Sequence, residues 1–183
     1  MRVRSDRERI PCKRVPVSWA SLQGFWHLVK GTSAMVTTVG TEAKFEDLVT
    51  NLIYLERDAL AAYEAVMDRL SDAALIDEVG RFRDDHRQHL EVLIEMAHEA
   101  EAEAPTEGDM KEMLTTGKIS VANLMGDGAI LKAMKTNEDD TVQAYEQAAA
   151  HDNALPKSKA FFEKALADEM RHRDWMERTA QSL

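Results

Sequence analysis

Cysteine is almost absent from this 183-residue sequence, which contains only Cys12. No disulfide can therefore form within the chain, and neither a cysteine-based zinc site nor a four-cysteine iron site can be built. This cysteine content leads us to expect a reducing cytoplasm as the compartment. Glycine (8 residues), proline (4 residues) and aromatic side chains (6%) are also scarce. Such a composition favours helices over strands.

Long apolar runs are missing too, since none approaches the roughly 20 residues that a membrane-spanning helix needs. The formal net charge of −10 argues against nucleic acid or an anionic membrane as a partner. The length suits one domain with a sizeable core. These absences leave an acidic, helical, globular domain as the expectation.

Positive charge is concentrated at the N-terminus. Residues 1–34 contain seven Lys or Arg and two acidic residues, a net charge of +5, which leaves −15 for the rest. We expect residues 1–41 to be a basic, poorly ordered extension and residues 42–183 to be the folded domain. Three alternatives stay open for the extension: a secretory signal, a basic arm that touches a partner, or a translational start at Met35.

Four later segments carry apolar residues at spacings of three and four, the pattern of amphipathic helices. The predicted helices span residues 42–70 with Thr41 as N-cap, 72–103 with Ser71 as N-cap, 119–150, and 157–180. Short joins within the first and the second pair make each pair antiparallel. Residues 104–118 can travel the length of a bundle. The predicted fold is an all-α four-helix bundle of two antiparallel pairs joined by one long crossover.

Polar residues interrupt each apolar stripe near the middle of its helix. A buried carboxylate is costly unless it is paired, protonated or bound to metal. The middles of adjacent helices meet at one height, so these side chains should converge. The six candidate metal ligands are Glu56, His86, His89, Glu138, Glu169 and His172. Carboxylate and imidazole together suit iron, manganese or zinc better than copper(I).

The two halves of the domain repeat this pattern. A glutamate precedes a tyrosine by seven residues in the first helix of each half: Glu56 and Tyr63, then Glu138 and Tyr145. The second helix of each half carries a pair three residues apart, His86-x-x-His89 or Glu169-x-x-His172. A shift of 82–83 residues superposes both sets. An i, i+3 pair aims two donors at one point, as a metal site needs.

With these motifs the chain resembles the ferritin-like superfamily, on the rubrerythrin side, over residues 42–182. The stretch GDGAILKAMKTNEDDTVQAYEQA is similar to small bacterial ferritin-like proteins of unassigned function. The resemblance implies a di-metal site, most simply two iron ions, that reacts with dioxygen or peroxide or stores iron. Manganese or zinc, a single ion, and a homodimer or larger homo-oligomer stay open.

His86 departs from the di-iron pattern, which has glutamate there as a bridge between the metals. A neutral imidazole cannot bridge. We therefore expect unequal metal positions, with a single ion at limiting metal beside Glu138, Glu169 and His172. Asp85, next to His86, is an alternative bridge. Tyr63 and Tyr145 are expected in the core, touching the ligands rather than the metal.

Three functions follow for testing. The first is a di-metal oxidase or peroxidase, and the second is an iron-binding protein without turnover. The third is a metal-free or degenerate bundle with a structural or interaction role, in which buried Glu and His satisfy one another. The remaining histidines lie outside the apolar stripes and are expected at the surface: His27, His98 and His151.

Overall fold

The computed structural model describes residues 37–108 and 125–183, and these form four α-helices with no strand among them. The helices are α1 (Phe45–Met67), α2 (Ala73–Glu99), α3 (Asp127–Ala150) and α4 (Pro156–Ser182). The predicted all-α four-helix bundle is confirmed. Three predicted features lie outside the described residues: the extension up to residue 36, the middle of the crossover, and the start of the third helix.

Contacts between helix ends give the topology. The Ser71 N–H and hydroxyl donate to the Asp127 carboxylate over 3.0 and 2.9 Å, so the α1–α2 turn lies beside the start of α3. At the other end, the Thr50 hydroxyl of α1 donates to the Glu103 carbonyl after α2, over 2.9 Å. The end of α2 and the start of α3 therefore lie at opposite ends of the bundle.

The first helix begins three residues later than predicted, and Thr41 is not its N-cap. Lys44 occupies the N-cap position without a side-chain hydrogen bond. Thr41 instead closes a turn, because its N–H and its hydroxyl both donate to the Thr38 carbonyl, over 3.1 and 2.7 Å. Gly40 in this turn has φ +100°, a conformation that glycine adopts readily. The turn ties up the hydroxyl that a cap would need.

The second helix is capped by Asp72 rather than by Ser71. The Asp72 carboxylate accepts a 2.7 Å hydrogen bond from the Ala74 N–H, as an N-cap does. Ser71 is engaged by Asp127 across the bundle. Ser71 and Asp72 are both residue types that cap helices, and this tertiary contact determines which one does so.

His151 is buried, contrary to expectation, while His98 is exposed as expected and His27 lies outside the described residues. A ring nitrogen of His151 lies 2.8 Å from the Glu42 carbonyl oxygen, to which it donates. This contact holds the α3–α4 turn against the segment that precedes α1.

Two apolar clusters fill the bundle, one towards each end. One contains Leu48, Leu52, Leu93, Tyr145, Ala148 and Phe162. The other contains Tyr63, Val79, Phe82, Leu131, Met134 and Met176. A layer of polar side chains separates them at mid-height. None of the described helices contains a stretch long and apolar enough to cross a membrane.

Candidate metal centre

The six predicted ligand residues lie together between the two apolar clusters, and each is at most 1% exposed. Their candidate ligand atoms form two overlapping groups, each within 4.8 Å. The Glu56 position comprises Glu56, His86, His89 and Glu169. The Glu138 position comprises His86, Glu138, Glu169 and His172. His86 and Glu169 belong to both groups, so the two positions are neighbours.

Each tyrosine contacts the glutamate of the other half. The Tyr63 hydroxyl donates to Oε1 of Glu138 over 2.9 Å, and the Tyr145 hydroxyl donates to Oε1 of Glu56. All four side chains are fully buried. The repeat seen in the sequence therefore becomes a reciprocal pair of bonds between α1 and α3.

His89 and His172 face the cluster with Nδ1. The His172 Nδ1 lies 3.5 Å from Oε2 of Glu138 and 3.7 Å from Oε2 of Glu169. The His89 Nδ1 lies 3.4 Å from Oε1 of Glu56 and 3.2 Å from Oε1 of Glu169. Glu169 therefore presents one oxygen to each histidine, in the manner of a bridging carboxylate.

The other ring nitrogen of each histidine contacts an outer aspartate. The His172 Nε2 lies 3.1 Å from Asp85, and the His89 Nε2 lies 3.3 Å from Asp168. One guanidinium nitrogen of Arg171 donates to both aspartates, over 2.8 and 3.0 Å. A carboxylate behind a histidine favours the tautomer with the proton on that side and leaves the inner nitrogen available to a metal.

These outer aspartates were not predicted in this role. Asp85 was considered as a bridge, but it lies behind His172 on the side away from the cluster. The available signal was the repeat itself: an aspartate directly precedes each i, i+3 pair, at positions 85 and 168. The same 83-residue shift relates the two aspartates.

His86 lies in the middle of the cluster with different partners on its two nitrogens. Its Nδ1 is 2.7 Å from Oε2 of Glu56, a hydrogen-bonding distance. Its Nε2 is 3.5 Å from Oε2 of Glu169 and 3.9 Å from Oε1 of Glu138. The hydrogen-bonded Nδ1 of His86 thus faces the Glu56 position, and its Nε2, which has no hydrogen bond, faces the Glu138 position.

Five buried atoms of the cluster have no hydrogen-bond partner. They are Nε2 of His86, Nδ1 of His89, Oε2 of Glu138, Oε1 of Glu169 and Nδ1 of His172. Buried polar atoms without partners are costly and uncommon. Because all five face the cluster interior, a metal ion bound there would satisfy them, and the donor set of carboxylate and imidazole fits iron, manganese or zinc.

Mutual attraction controls the charges of the metal-free cluster. Burial opposes the imidazolium form, yet the surrounding carboxylates raise the pKa of His86 to about 9 and the pKa of His89 and of His172 to about 10. Burial likewise opposes the ionised carboxylates, but the histidines lower the pKa of Glu56 and of Glu169. Without metal, imidazolium protons therefore provide the positive charge.

Glu138 is the exception among the carboxylates. Burial, and after it the negative charge of Glu169, raises the pKa of Glu138 to about 7. Burial also raises the pKa of Tyr63 and of Tyr145 well above the usual range, with the neighbouring carboxylates adding to the effect. Both tyrosines therefore remain protonated donors.

Residues 44–151 match the profile of a family described as a domain of unknown function, DUF2383. The match covers more than half of the 183-residue chain, so the chain belongs to this family. It includes α1 to α3 with four of the six cluster residues, whereas Glu169 and His172 on α4 lie beyond it. No curated protein and no solved structure matches the chain.

Proposed function

We propose that this DUF2383 protein is a ferritin-like metalloprotein that binds iron at the centre of its bundle. The observation that carries the proposal is the convergence of five unpartnered buried atoms from α2, α3 and α4 on one interior region. The absence of sulfur from the donor set favours iron, manganese or zinc over copper(I). Among these, iron matches the rubrerythrin-like repeat of glutamates and histidines.

Bound iron would supply redox chemistry towards dioxygen or peroxide. The chain's own residues have separate tasks. Glu138, Glu169 and His172 would hold the ion, and Asp85 would keep His172 oriented through its Nε2. Tyr63 fixes the Glu138 carboxylate by its hydrogen bond. The apolar clusters on either side keep bulk water from the site, which strengthens every charge interaction inside it.

A metal-free bundle is the second candidate, and one observation favours it. His86 and Glu56 form a 2.7 Å ion pair that needs no metal. If similar pairs closed throughout the cluster, the buried charges would neutralise one another and the protein would have a structural or interaction role. The longer His–Glu separations around His172, 3.5 and 3.7 Å, favour metal binding instead.

Elemental analysis of full-length protein made in iron-supplemented medium tests the proposal. We expect iron in the wild type, and a severe loss of it in Glu138→Gln and in His172→Ala. Glu146→Gln is the matched control, since Glu146 is an exposed glutamate on the same helix as Glu138. Wild-type protein without metal would support the metal-free candidate, and full metal content in both cluster variants would show that the metal binds outside the cluster.

Consumption of dioxygen or peroxide by the ferrous protein then separates two metal-dependent functions. With excess ferrous ion or another reductant supplied, an oxidase or peroxidase should turn over many equivalents of oxidant per protein. A protein that only sequesters iron should react once or not at all. Glu138→Gln should abolish either reaction, while Glu146→Gln should leave it unchanged.

A further inference from the structure

The two neighbouring positions of the cluster offer different numbers of free donors. Around the Glu138 position, unpartnered atoms come from His86, Glu138 and His172, and Glu169 contributes Oε2. That oxygen accepts one hydrogen bond, from the Thr141 hydroxyl over 3.0 Å. A carboxylate oxygen has a second lone pair, so it can still ligate. The Glu138 position therefore offers four donors.

The Glu56 position offers fewer. The Nδ1 of His86 is bonded to Glu56, and because a carboxylate can only accept, that nitrogen must carry the proton. When a metal ion displaces the Nε2 proton of this imidazolium, the Nδ1 proton stays in its hydrogen bond to Glu56, and a protonated nitrogen has no lone pair for a metal. This leaves Glu56, His89 and Glu169 as donors, and the Glu56 carboxylate already accepts bonds from His86 and Tyr145.

The distances from His86 distinguish the two positions in the same way. Around the Glu138 position, the His86–Glu169 and His172–Glu138 separations are both 3.5 Å, the His172–Glu169 separation is 3.7 Å, and the His86–Glu138 separation is 3.9 Å. These exceed hydrogen-bond lengths. They approach the edge of roughly 3.3–3.6 Å between neighbouring ligands of a tetrahedral ion with bonds of about 2.0–2.2 Å. At the Glu56 position, His89 has similar separations of 3.4 Å from Glu56 and 3.2 Å from Glu169. The 2.7 Å contact between His86 and Glu56 is too short for two ligands of one ion, so His86 cannot ligate at that position.

Charge gives a third, independent reason. The cluster contains three carboxylates, Glu56, Glu138 and Glu169, with a combined charge of −3 when all are ionised. Two divalent cations would exceed this charge in a fully buried region, where uncompensated charge is costly. One divalent cation would not.

We infer that the cluster holds one metal ion tightly, ligated by Glu138, Glu169, His172 and Nε2 of His86. The Nδ1–H of His86, bonded to Glu56, takes the place of a second ion. The inference rests on the proposed metal binding and specifies its stoichiometry and its fourth ligand. It assigns His86 as a ligand of the Glu138 position alone, rather than as a bridge.

The test is a titration of metal-free, full-length protein with Mn²⁺. Calorimetry and electron paramagnetic resonance measure the binding. We expect one tight equivalent and a second that is at least about tenfold weaker. The resonance of the bound ion should be that of an isolated Mn²⁺. His86→Glu should raise the stoichiometry towards two and broaden the resonance, because two adjacent ions couple.

Glu138→Gln and Glu56→Gln form a matched pair, since the repeat makes them equivalent. Glu138→Gln removes a ligand and should weaken the first equivalent by on the order of a hundredfold, whereas Glu56→Gln removes only the carboxylate behind His86 and should weaken it by roughly tenfold. Two equal sites in the wild type, or equal losses in the two variants, would overturn the inference and leave metal binding intact. A wild type that binds no metal would overturn both. The pair keeps the test valid if His86→Glu does not fold.

Discussion

The hydroxyl of Tyr63 donates a 2.9 Å hydrogen bond to Oε1 of Glu138, although 75 residues separate them in the sequence. The bond joins α1 to α3, and so links the two antiparallel helix pairs at the level of the cluster. Because its pKa is raised well above the usual range, the tyrosine keeps its proton and can only strengthen the negative form of the carboxylate.

Tyr63→Phe should therefore lower both stability and metal affinity. Removing the hydroxyl leaves a buried carboxylate oxygen without its donor, which should reduce the free energy of unfolding by about 1–3 kcal/mol. Denaturant titration of the metal-free protein measures this loss. Mn²⁺ titration should show a weaker first equivalent, because Glu138 is less well positioned.

Tyr145→Phe is the control for that variant, since it removes the equivalent bond to Glu56. We expect a comparable loss of stability with little change in the first Mn²⁺ equivalent. A larger affinity loss in Tyr145→Phe than in Tyr63→Phe would show that the ion binds at the Glu56 position instead.

Asp85→Asn should weaken metal binding without touching a ligand. The Asp85 carboxylate lies 3.1 Å from Nε2 of His172, and loss of such a partner typically costs roughly tenfold to a hundredfold in metal affinity. Competition with a chelator of known affinity measures the change. Asp168→Asn, which loosens His89 instead, should leave the first equivalent within about threefold of wild type. Equal losses of affinity in the two variants would mean that His89 and His172 contribute equally to binding the first ion.

The metal-free protein should lose stability as the pH rises above neutrality. The pKa is raised to about 9 for His86 and to about 10 for His89 and His172, from an ordinary value of 6.5. A raised folded-state pKa contributes stability that is fully present below about pH 6.5 and is lost as the pH rises through the folded value. Denaturant midpoints should therefore fall between about pH 7 and about pH 10.

The metal-loaded protein serves as the comparison for this pH series. Metal binding requires ligands without protons, so the loaded form should not show the same alkaline decline. A metal-free midpoint that stays constant up to about pH 10 would mean that the imidazolium protons do not hold the cluster together.

Deleting residues 1–34 should leave the bundle intact. We propose that this basic segment is separate from the domain, because its charge of +5 contrasts with −15 for the rest. The thermal midpoint of the shortened protein should stay within about 5 °C of the full chain, which corresponds to on the order of 1 kcal/mol. Circular dichroism measures the midpoint and the helix content per mole. A larger drop would show that the segment packs on the bundle.

The helices and the composition of the cluster were predictable because both depend on periodicity. Glu138 and His172 stand out in the sequence because each occupies a position where the stripe requires an apolar residue. The repeat then aligned Glu56 with Glu138 and gave their common height. The order of the helices followed from the same spacing, and their antiparallel pairing was predicted from the short joins within each half.

Side-chain direction could not be predicted in this way. Which nitrogen of His86 faces Glu56 depends on ring rotation within a packed interior, and spacing along a helix does not determine it. Asp85 behind His172 is a contact between α2 and α4; the repeat marks the aspartate at positions 85 and 168 but does not say which histidine each one contacts. The helix starts were missed for a related reason: contacts from α3 and the turn before α1 engaged Ser71 and Thr41.

Joining the two similar hairpins in one polypeptide changes what mutation can achieve. If two separate copies of one hairpin paired about a twofold axis, every substitution would appear on both sides at once. Within a single chain, position 86 can hold histidine while the equivalent position 169 keeps glutamate. Covalent fusion thus allows a substitution in one half of the cluster without the same substitution in the other half. A difference in ligands between the two halves can then be encoded in one gene.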